Sequence, residues 1–246
     1  MKKINLTEIP FTEKVGDMPT VHEPNVNEDC FLVHDGEIIG FYLRKMPDIM
    51  CRLLSIANSE FISDRVPKMD NVRMSGVSQY SSILGGIPPK YAKDYANISM
   101  VHRSKTAQKF IKAMFALNIE AEKLLKKLVP AIYDRQKKLV AERIKPEWRI
   151  GDLYTSSINN ANISADYHRD TANIRNTVNV IMVKKKSATG GNLHVPKYGA
   201  TVDCCNDSML VYPAWRDMHG VTPIDAKGDG YRNSFVFYPL EKIKHA

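Results

Sequence analysis

Cysteine is scarce in this chain, with only Cys30, Cys51, Cys204 and Cys205 among 246 residues. None forms a C-x-x-C pair, which argues against a structural zinc site or a disulfide framework and makes the cytoplasm the expected compartment. No run of about 18 apolar residues occurs, so no membrane-spanning helix is expected. The start, Met-Lys-Lys-Ile-Asn-Leu-Thr-Glu, has a basic beginning but no apolar core and no cleavage site, so it does not read as a secretory signal. Internal repeats and low-complexity tracts are also missing. Hydrophobic content of 43% and charged content of 25% are ordinary for a globular protein able to bury a core.

Acidic residues are outnumbered, and the imbalance is local. The formal net charge is +8, and residues 102–149 carry 13 Lys and Arg against 5 Asp and Glu, a difference of 8. A clustered basic segment is the footprint of a polyanion partner; a solvated, lysine-rich helix face gives the same count.

Along the chain, Phe31–His34 and Ile38–Leu43 flank Asp35-Gly36, the pattern of a β-hairpin. Pro47 to about Ile62 has helical spacing. Residues 65–100, rich in Gly, Pro, Ser and Tyr, read as a long irregular loop; its Arg73 and Tyr80 are given no role. Ser104 is placed as the cap of a helix whose Phe110, Met114, Leu117, Ala121, Leu124 and Leu128 recur at three and four residues. Pro130 is expected to end or kink it, and a second amphipathic piece then runs to before Pro146. From about Trp148 the chain turns to short apolar runs with turn signals between them. Strands are expected at Leu153–Ile158, Thr177–Val183, Asn192–Val195, Thr201–Cys204, Met209–Tyr212 and Ser234–Tyr238. This gives an α+β chain built on a double-stranded β-helix, or jelly roll, with an N-terminal hairpin and buttressing helices. Its parts are 1–103 (hairpin, helix and long loop), 104–147 (basic helices) and 148–246 (catalytic core), in one continuous domain.

The chemistry gathers in 167–238. His168 and Asp170, separated by one residue in an extended segment, aim an imidazole and a carboxylate at one point. His219 lies 51 positions on (219 minus 168), far enough for the chain to turn back and supply a third ligand. Two His and one carboxylate with open positions suit a non-haem Fe(II) site that activates O2. Arg232 follows on a strand, and its planar fork suits a carboxylate such as that of 2-oxoglutarate. Ser234 shares its face, while Asn233, Phe235 and Phe237 take the other.

The string His168-Arg169-Asp170-Thr171-Ala172-Asn173-Ile174-Arg175-Asn176, then His219-Gly220-Val221-Thr222-Pro223 and Arg232-Asn233-Ser234-Phe235-Val236-Phe237-Tyr238, resembles the catalytic core of the TET/J-binding-protein family. These oxygenases hydroxylate the methyl group of 5-methylcytosine or thymine in nucleic acid. The resemblance covers roughly 150–240 and implies Fe(II) held by His168, Asp170 and His219, with 2-oxoglutarate as cosubstrate on Arg232 and Ser234. It further implies Tyr238 stacked on an extruded base, Asn173 on the base edge, and DNA as partner. The histidine that such enzymes carry two positions past the stacking residue is here Leu240, which leaves cytosine or thymine open. The zinc-bearing cysteine-rich region of the animal enzymes is absent, and no motif marks an arginine for the second carboxylate of 2-oxoglutarate. The compact, zinc-free form resembles bacteriophage or bacterial members. The alternatives are the same cofactor chemistry on a protein side chain or small molecule, and a non-catalytic nucleic-acid-binding jelly roll.

Overall fold

Asp35 and Gly36 both take positive φ, 51° and 79°, and the tight turn they form pairs β2 (Cys30–His34) with β3 (Glu37–Leu43) as expected of Asp-Gly. The structure, a computed structural model, describes residues 1–20, 22–70, 78–89 and 96–243; Arg73 lies outside them. Ahead of the hairpin, β1 (Lys2–Asn5) runs parallel to β2. After it come α1 (Asp48–Ile62), β4 (Met69–Asp70), β5 (Tyr80–Ile87), β6 (Asn97–Ile98) and α2 (Met100–Arg103). The long helices are α3 (Gln108–Leu128) and α4 (Pro130–Arg143), the latter with its proline at the first turn, where no amide hydrogen is needed. The remainder is strand: β7 (Ser156–Ala161), β8 (Ala165–His168), β9 (Asn179–Gly190), β10 (Leu193–Val195), β11 (Ala200–Val202), β12 (Met209–Tyr212), β13 (His219–Val221) and β14 (Ile224–Tyr238).

Two sheets face each other. The larger has the order β1-β2-β3-β12-β9-β14-β7-β5-β4, with β6 paired to β5; the smaller has the order β11-β10-β13-β8. The strands that neighbour one another are mostly distant in sequence, which is the double-wound connectivity of a jelly roll. Helices α1, α3 and α4 cover the outer face of the larger sheet. There Phe110, Met114, Leu117 and Leu125 meet Phe41, Val180, Phe235 and Phe237 in one core cluster. The opposite face, with Ile181, Val183 and Leu210, packs on Leu193, Val195 and Val202 of the smaller sheet. The alternation of β14 thus sends Phe235 and Phe237 to the helices and Arg232 and Ser234 into the space between the sheets.

Two expectations are corrected. Residues 65–100 are not one irregular loop: Tyr80–Ile87 is a strand of the large sheet, paired along β7 from Tyr80↔Ala161 to Gly85↔Ser156. Its small residues hid it, since Gly85 and Gly86 lower strand propensity. A Cβ on Gly85 would sit 2.4 Å from the Thr155 carbonyl oxygen, so close approach of the backbone requires glycine there. Nor does Ser104 cap α3. It closes α2, whose N-cap is Ser99, and α3 starts from Ala107 without a side-chain cap. The strand edges also move: β7 begins at Ser156, β11 stops at Val202, and β9 runs on to Gly190. Two strands that the expected set omitted, β8 and β13, carry the histidines.

Candidate active site

The last residue of β8, His168, is the ladder partner of the first residue of β13, His219. Fifty positions of chain are closed by this register, and the two rings stand 4.5 Å apart between centroids. Asp170 lies just past the end of β8, where its amide donates to the Ala214 carbonyl at 3.0 Å. That places its Oδ1 3.6 Å from His168 Nε2. One ligand atom from each of the three residues falls within 4.8 Å of the others.

The histidine tautomers follow from their partners. His168 Nδ1 lies 2.7 Å from the Asp166 carbonyl and His219 Nδ1 lies 3.0 Å from the Asp217 carbonyl, each two residues back along the chain. A carbonyl only accepts, so both Nδ1 atoms carry the hydrogen and both Nε2 atoms keep a lone pair for a metal. Burial pushes the His219 pKa down, which holds the imidazole neutral, its ligating form. The loop before His219 is pinned as well: the Asp217 carboxylate accepts from Arg216, Tyr198 and Tyr212 at 2.8 to 3.2 Å. Burial works against that carboxylate, but Arg216, the Tyr198 hydroxyl and Lys197 hold its pKa below the ordinary range.

A cavity of about 230 Å³ runs from this triad to Arg232 and Ser234 on β14. Arg232 is 2% exposed, and among the described residues its Nε has no hydrogen-bond partner. A buried guanidinium N–H without an acceptor carries a desolvation penalty, so this place suits an anion. Gly191 makes room for it: at φ +67°, a Cβ there would stand 2.9 to 3.0 Å from Arg232 Nε, Cδ and Cγ. Lys185, the ladder partner of Arg232, adds a second cation; burial first, and then Arg232, push its pKa down. Two imidazoles and a carboxylate around open positions fit Fe(II), and the orphaned guanidinium fits the distal carboxylate of 2-oxoglutarate.

A second cavity of about 330 Å³ lies on the other side of Asp170 and shares Ile158 and Val236 with the first. Tyr238 and Leu240 line it together with Asn173 and the exposed Arg169. Burial raises the Tyr238 pKa and the nearby Asp170 raises it further, keeping a neutral phenol. Asn173 is 4% exposed. Its amide donates to Asn179 Oδ1 at 2.9 Å and lies 3.5 Å from Asp170 Oδ2, while Asn179 Nδ2 donates to Asp170 Oδ2 at 2.7 Å. All seven residues singled out in the sequence therefore border one of two adjoining cavities. Asn179, Gly191 and Lys185 were missed. The signal for Asn179 was a polar residue inside the apolar run Val178–Val183; the other two carry none.

A family model described as the oxygenase domain of the 2OGFeDO superfamily, Tet_JBP, matches residues 93–241. The structure of NgTET1 in complex with 5mC DNA aligns over 93% of this chain and 83% of that one, with a TM-score of 0.59 at 15% identity. A 2OG-Fe(II) oxygenase family oxidoreductase from Burkholderia pseudomallei aligns over 84% of this chain and 88% of its own, with a TM-score of 0.47 at 12% identity. OsALKBH1 aligns over 80% and 96%, with a TM-score of 0.45 at 14% identity. No curated protein matches the sequence. With 149 of its 246 residues (241 minus 93 plus 1) inside the matched model, the chain belongs to the Tet/JBP family of oxygenases in the 2OGFeDO superfamily, whose chemistry uses Fe(II) and 2-oxoglutarate.

Proposed function

We propose that this oxygenase hydroxylates the 5-methyl group of a pyrimidine, 5-methylcytosine or thymine, in DNA, giving the 5-hydroxymethyl base, succinate and CO2. The observation that carries the reading is the pairing of the two cavities: a base-sized pocket walled by Tyr238 and Asn173 opens beside Asp170.

In this reading His168, Asp170 and His219 hold Fe(II), and Arg232 with Ser234 holds the distal carboxylate of 2-oxoglutarate. When bound, iron and 2-oxoglutarate supply the oxidising power: O2 is split between succinate and the substrate C–H bond as CO2 leaves. The chain's own residues set the positions. The Asp166 and Asp217 carbonyls aim the two Nε2 atoms. Arg232 fixes one end of the cosubstrate, and its depth keeps that end dry. The Tyr238 ring offers a stacking face to a base taken out of the duplex, a contact contributing about 1–3 kcal/mol. In this reading the stacked base presents its methyl group to the triad across Asp170, which lines both cavities.

DNA as the partner is supported by the exposed Arg169 and Arg175 on the loop that walls the pocket. The basic segment contributes less than its count suggests, because Lys109, Lys123, Lys137, Lys138 and Arg143 sit in ion pairs with acidic side chains. The deciding experiment incubates the protein with iron, ascorbate, 2-oxoglutarate and methylated DNA, followed by digestion to nucleosides and mass spectrometry. A hydroxymethyl product from 5-methylcytosine or thymine is expected. Its absence from both, with succinate formed on a protein or small-molecule substrate, would overturn the reading.

A further inference from the structure

Asn179 belongs to none of the motifs, yet its side chain is held directly against Asp170 of the proposed iron-ligand set. It is 2% exposed at the start of β9. Its Nδ2 donates to Asp170 Oδ2 at 2.7 Å, while its Oδ1 accepts from Asn173 Nδ2 at 2.9 Å.

The direction of this chain is not free. A carboxylate serving as a metal ligand only accepts, so Asn179 must turn its NH2 toward Asp170. Its carbonyl oxygen then faces Asn173, and Asn173 must turn its own NH2 inward to meet it. Both hydrogens of that NH2 point to acceptors, Asn179 Oδ1 and, at 3.5 Å, Asp170 Oδ2. The usual ambiguity of an amide flip is removed, because reversing either amide would set oxygen against oxygen. The one polar atom that Asn173 can offer to the pocket it lines is its carbonyl oxygen.

We propose that Asn179 is a positioning residue that ties Asp170 to the base-facing Asn173 and makes Asn173 an acceptor toward the base. The pocket then favours a 5-methylated pyrimidine with an amino group at C4 over one with a carbonyl there. This rests on the base-hydroxylating reading above. With the 5-methyl group aimed at the triad, the substituent nearest the Asp170 side is the one on C4, adjacent to C5. An amino group at C4 donates to Asn173 Oδ1, whereas a C4 carbonyl meets it lone pair to lone pair. Leu240, on the same pocket wall, forms no hydrogen bond through its side chain and cannot reverse that preference.

Oligonucleotides that differ only at the target base test this: 5-methylcytosine, thymine, and 5-methylpyrimidin-2-one, which lacks the C4 substituent. For the iron-loaded protein, kcat/KM is expected to be at least tenfold higher for 5-methylcytosine than for either other base. Thymine turned over as well as 5-methylcytosine overturns the inference and leaves base hydroxylation standing; no hydroxymethyl product from any base overturns both. Asn179→Leu is expected to bring the preference within threefold and to weaken Co(II) binding to the iron-free protein at least threefold, read from the visible Co(II) absorption. Unchanged preference and unchanged Co(II) affinity in a folded Asn179→Leu protein overturn the inference. If that variant does not fold, Asn173→Leu removes the acceptor together with the NH2 contacts behind it. A preference retained in Asn173→Leu overturns the inference equally.

Discussion

His168 and His219 face one another as ladder partners of β8 and β13, and each gives its Nδ1 hydrogen to the carbonyl two residues behind it. Backbone carbonyls thereby orient both rings, and one strand pairing brings the two histidines of the candidate metal site together. Replacing either ring by alanine removes a ligand while leaving the ladder intact. His168→Ala and His219→Ala are expected to bind less than a tenth of an equivalent of iron by metal analysis and to lose at least a hundredfold in succinate formation. Thermal melts should stay close to wild type for His168, which is half-exposed.

Among the described residues Arg232 lacks a partner for its Nε, and it is almost fully buried. Losing a desolvated charge-assisted contact typically costs about 2–5 kcal/mol. Arg232→Met should therefore raise KM for 2-oxoglutarate about a hundredfold or more in steady-state assays, and should raise the melting temperature of the cosubstrate-free protein by removing an unpaired charge.

Gly191→Ala probes the same contact from the other side. The left-handed backbone at φ +67° costs about 1 kcal/mol for alanine, and the new methyl group would press on Arg232 from Nε to Cγ. KM for 2-oxoglutarate should rise several-fold with kcat for bound cosubstrate nearly unchanged.

Tyr238 borders the base pocket but not the cavity of Arg232. Tyr238→Ala should raise KM for DNA about tenfold, the equivalent of one lost stacking contact, while succinate formation without DNA stays within twofold. Equal loss of both activities would mean that the ring supports the iron site.

His194 is buried against His22, with ring centroids 4.0 Å apart, and its Nδ1 contacts Thr201 Oγ1 at 2.8 Å. Burial, with His22 adding to it, lowers its pKa to about 4. A folded-state value below the unfolded one means that the unfolded chain binds the proton more readily. Stability from this group is therefore full above about pH 6.5 and falls as the pH drops toward 4, by roughly 3 kcal/mol in all. Melting curves from pH 7.5 to 4.5 should show this loss, and His194→Gln should flatten it.

Much of the site was legible because its residues sit in short sequence strings whose side-chain directions follow from strand alternation. Arg232 and Ser234 had to share a face once 232–238 was a strand, and His168 with Asp170 had to lie close along the chain. The strand at Tyr80–Ile87 was not legible, since glycine and serine gave no apolar alternation and its support comes from pairing with β7 over most of its length and with β4 and β6 at its ends. Ser104 looked like a cap by type, but capping depends on where the previous helix ends.

The sequence by itself determined the ligand types, the alternation of β14 and the basic character of 102–149, because these depend on residue identity and local period. Only the tertiary structure decided that His219 would meet His168, that five of the basic residues would sit in ion pairs, and that Asn179 would stand between Asp170 and Asn173. Those outcomes depend on ladder register and on which buried acceptor lies within reach, and both are set by chain segments far apart in sequence.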